Sequence, residues 1–314
     1  MTTTNLPHFG VQTSIAGGLQ NAVARAVEKG CDCFQIFARN PRGWAERPLE
    51  ADEIHAFRDA REQADLFPLA IHAVYLINLA AQDEILQARS RAAFRQEILR
   101  GLEIGADYLV VHPGNPKTAS ADAGVQTAIE SIREATRGLN LQGAASSKNQ
   151  AGQRNGLTIL IENTAGQGSS IGCTFEQVAD IVAALHDEIP IGVCLDTAHT
   201  LAAGYDIATE TGFRATVRQI QRTFTFDKLR LIHCNDSKTA LNSRVDRHQH
   251  IGLGHIGLAG FRRIIQNVNF RRLPFVLETP IDATRNDEGN LAVVRELSRK
   301  DGKRRSKNQV EESL

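Results

Sequence analysis

The sequence carries no surplus of charge of either sign: 36 Lys and Arg balance 36 Asp and Glu. Bulk attraction therefore gives no reason to expect a nucleic-acid partner, and any anion site has to be local. No apolar run is long enough to cross a bilayer, and the opening MTTTNLPHFG lacks the basic and apolar blocks of a signal peptide. A cytoplasmic chain without membrane contact is expected. Cysteine is sparse. The five present (Cys31, Cys33, Cys173, Cys194, Cys234) are an odd set and too few for a disulfide scaffold. Four lie in or beside apolar strand-like runs and read as buried thiols. Cys31 and Cys33, two apart, would share a strand face and could bind metal, but CxC carries little specificity. A dinucleotide-type glycine fingerprint is also missing, since SIAGGL has only paired glycines and reads as a turn.

What is present is ample for a full core: 42% of the 314 residues are hydrophobic and 23% charged. Eight short runs read as strands: Phe9 to Ser14, Cys33 to Ala38, Leu69 to Ala73, Tyr108 to His112, Thr158 to Glu162, Gly192 to Asp196, Leu229 to Cys234 and Phe275 to Glu278. Between them lie stretches of helical periodicity, such as AVARAVEKG, closed by Gly30, and ILQARSRAAFRQEILRGLEIG, closed by Gly105. Eight strand-helix units predict an α/β fold, a single (β/α)₈ TIM barrel over residues 1–300. The polar stretch Gly138 to Gly156 reads as a mobile surface insertion on the barrel's N-terminal face. Asp301 to Leu314 reads as a charged, disordered tail.

Six consecutive runs end in an ionisable residue: His72, His112, Glu162, Asp196, His233 and Glu278. Barrel strands are buried on both faces, so each such end needs a reason, and the C-terminal strand ends of a closed barrel meet at one mouth. Imidazoles and carboxylates with no Lys or Arg among them leave the acids repelling one another unless cations intervene. Zinc or manganese accepts these ligand types. In DTAH, His199 follows Asp196 by three; in VDRH, Asp246 and His248 are two apart and share a side if the backbone is extended. That makes nine candidate ligands, enough for three ions, although one ion would need fewer.

The strings YLINLA, VVHPG, IENTAGQGSSIG, GVCLDTAHTLAAGYD, HCNDSK and SRVDRHQHIGLGHIG closely resemble the endonuclease IV family of apurinic/apyrimidinic (AP) endonucleases, from about Phe9 to about Glu278. The resemblance implies a (β/α)₈ barrel with a trinuclear zinc site that cleaves double-stranded DNA 5′ to abasic sites in DNA repair, with partial manganese substitution allowed. Carried over by position, it makes His72, His112 and Glu162 ligands of a first zinc, and Glu162, Asp196, His233 and Glu278 ligands of a second. His199, Asp246 and His248 would hold a third. The implied nucleophile is a hydroxide available near neutral pH, because zinc can lower the pKa of bound water from about 15.7 to about 7. Glu162 would bridge two ions and orient that hydroxide. The products would be a 3′-hydroxyl and a 5′-deoxyribose phosphate. Three zinc ions would also turn a mouth with four acids into one that attracts phosphate.

An abasic nucleotide must leave the stack, which costs least where the base is already gone. By resemblance, Arg42 in ARNPRGW and Tyr75 with Leu76 in HAVYLIN would fill the gap, although Tyr75 and Leu76 alone would read as packing and Arg42 as a solvated charge. Trp44 would either stack on a base or be buried. Three departures from the family stand out: Gln12 where His is usual, Ala73 where an acid follows the third-strand His, and Leu253 where an acid is common. Such changes around ligands can cost roughly 10- to 100-fold in metal affinity or activity. Two rival readings remain. One is a sugar isomerase or epimerase holding a single manganese or magnesium on Glu162, Asp196, His233 and Glu278; the other is a non-catalytic abasic-DNA binder. Lys303 to Arg305 in the tail could touch DNA but reads as solvated, and a monomer is the default.

Overall fold

The computed structural model describes residues 7–45, 47–142 and 156–299. Among the described residues there are ten strands: β1 (His8–Thr13), β2 (Cys33–Ile36), β3 (Leu69–His72), β4 (Tyr108–Val111), β5 (Thr158–Glu162), β6 (Ile191–Asp196), β7 (Leu229–His233), β8 (Asp236–Ser237), β9 (His248–Gln249) and β10 (Pro274–Leu277). Eight of them close a barrel in the order β1-β10-β7-β6-β5-β4-β3-β2, every pair parallel. The helices are α1 (Gln20–Glu28), α2 (Ala51–Gln63), α3 (Glu84–Ile104), α4 (Ala121–Thr136), α5 (Phe175–Leu185), α6 (Thr197–Ala202), α7 (Glu210–Thr223), α8 (Gly257–Gln266) and α9 (Asp287–Ser298). The eight expected runs are the eight barrel strands, each within a residue or two of its expected limits. β8 and β9, an antiparallel two-residue pair, were not expected.

Strand alternation explains the interior. Cys33, Ala70, Val110, Leu160, Cys194, Leu231 and Val276 form one apolar cluster inside the barrel, and their chain neighbours Phe34, Ile71, Leu109, Ile161, Leu195, Ile232 and Phe275 pack outward beneath the helices. Two residues further along each strand, on the same inward face, come Gln35, His72, His112, Glu162, Asp196, His233 and Glu278. The plug is apolar and the layer above it is polar, at the C-terminal mouth.

Local chemistry fixes the helices that follow. Asp83, Ser120, Thr174, Thr209 and Asn286 each cap a helix by accepting a backbone N–H from its first turn. Gly105 closes α3 in the left-handed conformation, φ 71°, as its position in the sequence requires. Gly30 likewise follows α1 with φ 70°.

One expectation needs correction. Cys31 and Cys33 do not share a face: Cys31 precedes β2 and belongs to the layer between sheet and helices, whereas Cys33 lies inside the barrel. Burial pushes the Cys31 thiol up to about 11 and that of Cys33 well above its usual range, so neither is poised as a metal ligand. The ends of the Gly138 to Gly156 insertion are anchored, because Leu141 is buried and its carbonyl accepts the Leu157 N–H at 2.8 Å. Residues 143–155 of that insertion, and the tail from 301 with Lys303 to Arg305, lie outside the described residues. Among the described residues, no helix is long and apolar enough to cross a membrane.

Candidate metal centre

The polar layer draws together all six strand-end residues and adds His199 from α6, Asp246 from a loop and His248 from β9. Glu162, fully buried at the end of β5, sits in the middle. Its Oε2 lies 3.1 Å from Nε2 of both His72 and His112, and its Oε1 lies 2.9 Å from His233 Nδ1 and 3.4 Å from His199 Nδ1. Asp196 ends β6 and caps α6: its Oδ1 accepts the His199 backbone N–H at 2.7 Å, which fixes where His199 leaves the helix. Above, His199 Nε2 is 3.1 Å from Asp246 Oδ2, and His248 Nε2 is 3.5 Å from Asp246 Oδ1 and 3.6 Å from Asp196 Oδ2.

Three groups result, each with ligand-type atoms within 4.8 Å of one another: His72, His112 and Glu162; Glu162, Asp196, His233 and Glu278; and Asp196, His199 and His248. Glu162 is shared by the first two and Asp196 by the last two. The third group forms around Asp196, and Asp246, the ligand expected there, faces the same two histidines from the solvent side at 3.1 and 3.5 Å.

The hydrogen bonds decide which ring nitrogens are free. His72 Nδ1 donates to the Ala73 carbonyl at 2.7 Å, His199 Nδ1 to that of Asn163 at 2.9 Å, and His248 Nδ1 to that of Glu278 at 3.1 Å. His233 Nε2 donates to Gln35 Oε1 at 2.9 Å. A carbonyl oxygen only accepts, so each of these nitrogens carries the hydrogen, and in a neutral ring the other nitrogen presents a lone pair. Those lone pairs face carboxylate oxygens at 2.9 to 3.6 Å. Acceptor facing acceptor at that range is unfavourable unless a cation lies between, either a proton on each ring or a metal ion. The Nε2 atoms of His199 and His248 are buried with no hydrogen-bond partner, as ligand atoms awaiting an ion would be. The donor set, five imidazoles and four carboxylates, is one that zinc or manganese accepts.

Without an ion, the surroundings of His72, His199 and His233 favour the protonated ring. Burial pushes the Glu162 carboxyl up, but the His233 and His112 rings outweigh it and hold the group well below the usual carboxylate range. Burial lowers His199, yet Asp196, Asp246 and Glu162 raise it well above its ordinary value. His72 and His233 are raised against their own burial in the same way. Asp246 is held low by His199 and His248, again against its burial.

Other expected residues are more scattered. Arg42 is exposed in the loop after β2, its backbone N–H bound to Asn40 Oδ1 at 3.0 Å. Tyr75 is 68% exposed and leans on Phe37 and His72, with ring centroids 5.4 and 5.5 Å away, whereas Leu76 is half-buried against the core. The Trp44 ring is also half-buried, and the Arg89 guanidinium lies over it at 4.2 Å, so that face is taken. Leu253 is exposed. A cavity of about 240 Å³ opens beside the first group, lined by His72, Tyr75, Asn78, His112, Asn115 and Thr164 among others.

Sequence reasoning missed three amides. Asn235 Nδ2 donates to Asp196 Oδ2 at 2.7 Å and to Glu278 Oε2 at 3.3 Å, and Asn163 Oδ1 accepts the Asp196 backbone N–H at 2.7 Å. Gln35 Nε2 donates to Glu278 Oε1 at 2.7 Å and to Gln12 Oε1 at 2.9 Å. Each interrupts or follows an apolar run, and Gln35 stands two residues after inward-facing Cys33, which is the signal that could have found it.

Comparison with known proteins follows the same outline. Residues 23–300 match the family model of the xylose isomerase-like TIM barrel. A protein of Solibacter usitatus described as a probable endonuclease 4 is 41% identical over 293 residues, covering 92% of this chain and 96% of that protein. The crystal structure of endonuclease IV from Thermus thermophilus is 35% identical and superposes with a TM-score of 0.79, covering 93% of this chain and 98% of the other. The 3-keto-D-glucoside 4-epimerase of E. coli shares the fold alone, at 15% identity and a TM-score of 0.63 over 92% of this chain and 99% of that one.

Proposed function

We propose that this chain, which belongs to the endonuclease IV family of AP endonucleases, hydrolyses the phosphodiester bond 5′ to an abasic site in double-stranded DNA. The products would be a 3′-hydroxyl and a 5′-deoxyribose phosphate. In this reading, His72, His112 and Glu162 hold a first zinc, and Glu162, Asp196, His233 and Glu278 a second. His199, His248 and Asp246 hold a third, with Asp196 adjacent. The carrying observation is the set of three adjoining ligand groups with two orphaned imidazole nitrogens. Bound metal ions supply Lewis acidity and a water acidic enough to ionise near neutral pH.

The chain's own residues do the rest. Glu162 spans two groups with its two oxygens, so its carboxylate sets their spacing and lies where an attacking water must be oriented. Asn235 holds Asp196 and Glu278 in place through one amide, and the backbone carbonyls of Ala73, Asn163 and Glu278 fix the ring tautomers. Arg42 offers a guanidinium to a phosphate. Tyr75 offers an exposed ring to the space left by the missing base, where unstacking costs least.

A labelled duplex with one tetrahydrofuran abasic analogue, incubated with zinc or manganese and separately with EDTA, tests the reading. Nicking 5′ to the analogue, abolished by EDTA, is expected; an intact duplex with metal supplied sinks it. The single-metal isomerase reading uses only Glu162, Asp196, His233 and Glu278, and leaves the orphaned His199 and His248 nitrogens without a role.

A further inference from the structure

Gln35 is fully buried inside the barrel, and its amide commits both N–H donors and its carbonyl oxygen to three side chains. Its orientation is forced. The Glu278 carboxylate can only accept, so the end of the amide 2.7 Å away must be the NH₂ group. The other end is therefore the carbonyl, and the His233 nitrogen 2.9 Å from it must be the one bearing hydrogen. The second N–H of the amide then needs an acceptor, and Gln12 Oε1 on β1 supplies one at 2.9 Å. From one acid, the hydrogen positions of two amides and an imidazole follow without choice.

We propose that Gln35, locked by Gln12, is a positioning residue that reserves His233 Nδ1 and the Oε2 edge of Glu278 for one ion of the centre. This rests on the proposed function, because it presumes that the group of Glu162, Asp196, His233 and Glu278 holds a metal. The geometry supports it in two ways. With Nε2 tied to Gln35, a neutral His233 has its only lone pair on Nδ1, which lies 2.9 Å from Glu162 Oε1 and 3.3 Å from Glu278 Oε2. With Glu278 Oε1 tied to Gln35, the opposite oxygen is the one turned to His233 and Asn235. The Gln12–Gln35 pair thus links the centre to β1 through a neutral relay.

The test compares wild-type, Gln35→Leu, Gln35→Glu and Gln12→Leu proteins, loaded with zinc and dialysed against a weak chelator. Metal retained is counted by mass spectrometry, and ring tautomers are read from ¹⁵N-histidine spectra of the loaded proteins. Gln35→Leu is expected to retain one ion fewer than wild type, that ion leaving about 10- to 100-fold faster, as for other partners of metal ligands. The signal of the Nε2–H tautomer of His233 should shift or split. Gln35→Glu keeps an acceptor for His233 but sets an oxygen against Glu278, so it should lose the same ion while keeping the tautomer. Gln12→Leu should show a smaller loss of the same kind. Unchanged retention in Gln35→Leu, or an even loss of all ions together with a lowered melting temperature, overturns the proposal. A wild-type chain that holds no ions overturns it together with the proposed function. One that holds its ions but leaves the abasic duplex intact overturns the proposed function alone.

Discussion

Glu162→Gln is the sharpest perturbation this centre allows, because the replacement keeps the shape and removes only the charge. The carboxylate is fully buried and faces four imidazoles, with its two oxygens divided between the first two ligand groups. Removing one partner of a buried ionic contact costs about 3–5 kcal/mol. At about 1.4 kcal/mol per tenfold, the affinity of the first two groups for zinc should fall by about two to three and a half orders of magnitude. The Gln NH₂ can donate to a neutral histidine, so the fold should survive. Zinc affinity is measured by competition with a chromophoric chelator, nicking on the abasic duplex at saturating zinc, and DNA binding by gel shift. Nicking should fall at least a hundredfold, while abasic-duplex binding, measured at the same saturating zinc, persists. A variant that cuts at the normal rate, or that loses less than tenfold in zinc affinity, refutes the shared-ligand role.

Other expectations concern separate parts of the site. His248→Ala should cost one equivalent of retained zinc and leave the first two groups loaded, read by metal counting; loss of all ions would contradict the division into groups. Tyr75→Ala should weaken binding to abasic duplex by about 1–3 kcal/mol, the usual worth of one aromatic stack, with little effect on zinc retention. Arg42→Ala should flatten the dependence of log Kd on log salt by about 0.9, the share of one phosphate contact; an unchanged slope removes Arg42 from the interface. Stability of the metal-free chain should depend on pH in a defined sense. His72, His199 and His233 are raised in the fold, so their contribution is full below the unfolded value of about 6.5 and fades as pH rises through the raised folded values. Glu162, Asp246 and Glu278 are lowered, so theirs is present above about 4 and fades as pH falls through the lowered folded values. Thermal melts without metal should therefore peak between about pH 4.5 and 6.5, and added zinc should move the optimum upward, since ions compete with those protons. A metal-free optimum at pH 8 would count against the pairing.

Much of the barrel was legible because its strands announce themselves twice, by β-branched apolar runs and by an ionisable residue where burial should forbid one. His72, Glu162, Asp196 and His233 end their strands as expected, and His112 and Glu278 fall one residue past theirs. What escaped has physical reasons. Gln35 is polar but not ionisable, so it does not stand out by charge; only the register, two residues beyond inward-facing Cys33, marks it. β8 and β9 are two residues each, set by pairing across a long loop and not by local pattern. The Cys31 and Cys33 face failed because β2 starts only at Cys33, so alternation does not reach Cys31. Trp44 was ambiguous because its cover, Arg89, comes from α3, some forty residues away and out of reach of any local pattern.

Register also explains how a chain without net charge can carry a site for a polyanion. The apolar layer formed by Cys33, Ala70, Val110, Leu160, Cys194, Leu231 and Val276 ends the barrel's dry interior, and the next layer of the same strands supplies most of the acids and imidazoles. Glu162, Asp196 and Glu278 are set there by strand geometry and each is held by a backbone N–H, an amide or a ring, while Asp246 reaches in from a loop and faces the His199 ring. Ring protons or metal ions relieve their repulsion, and on the proposed reading the imidazole lone pairs fixed by Ala73, Asn163, Gln35 and Glu278 would set where metal ions sit. On that reading, the mouth potential would depend on metal loading more than on surface Lys and Arg. Salt-dependent binding of abasic duplex should accordingly be strong for the loaded chain and weak for the stripped one at equal pH. Equal affinity of the two forms would show that the surface, and not the centre, draws the DNA.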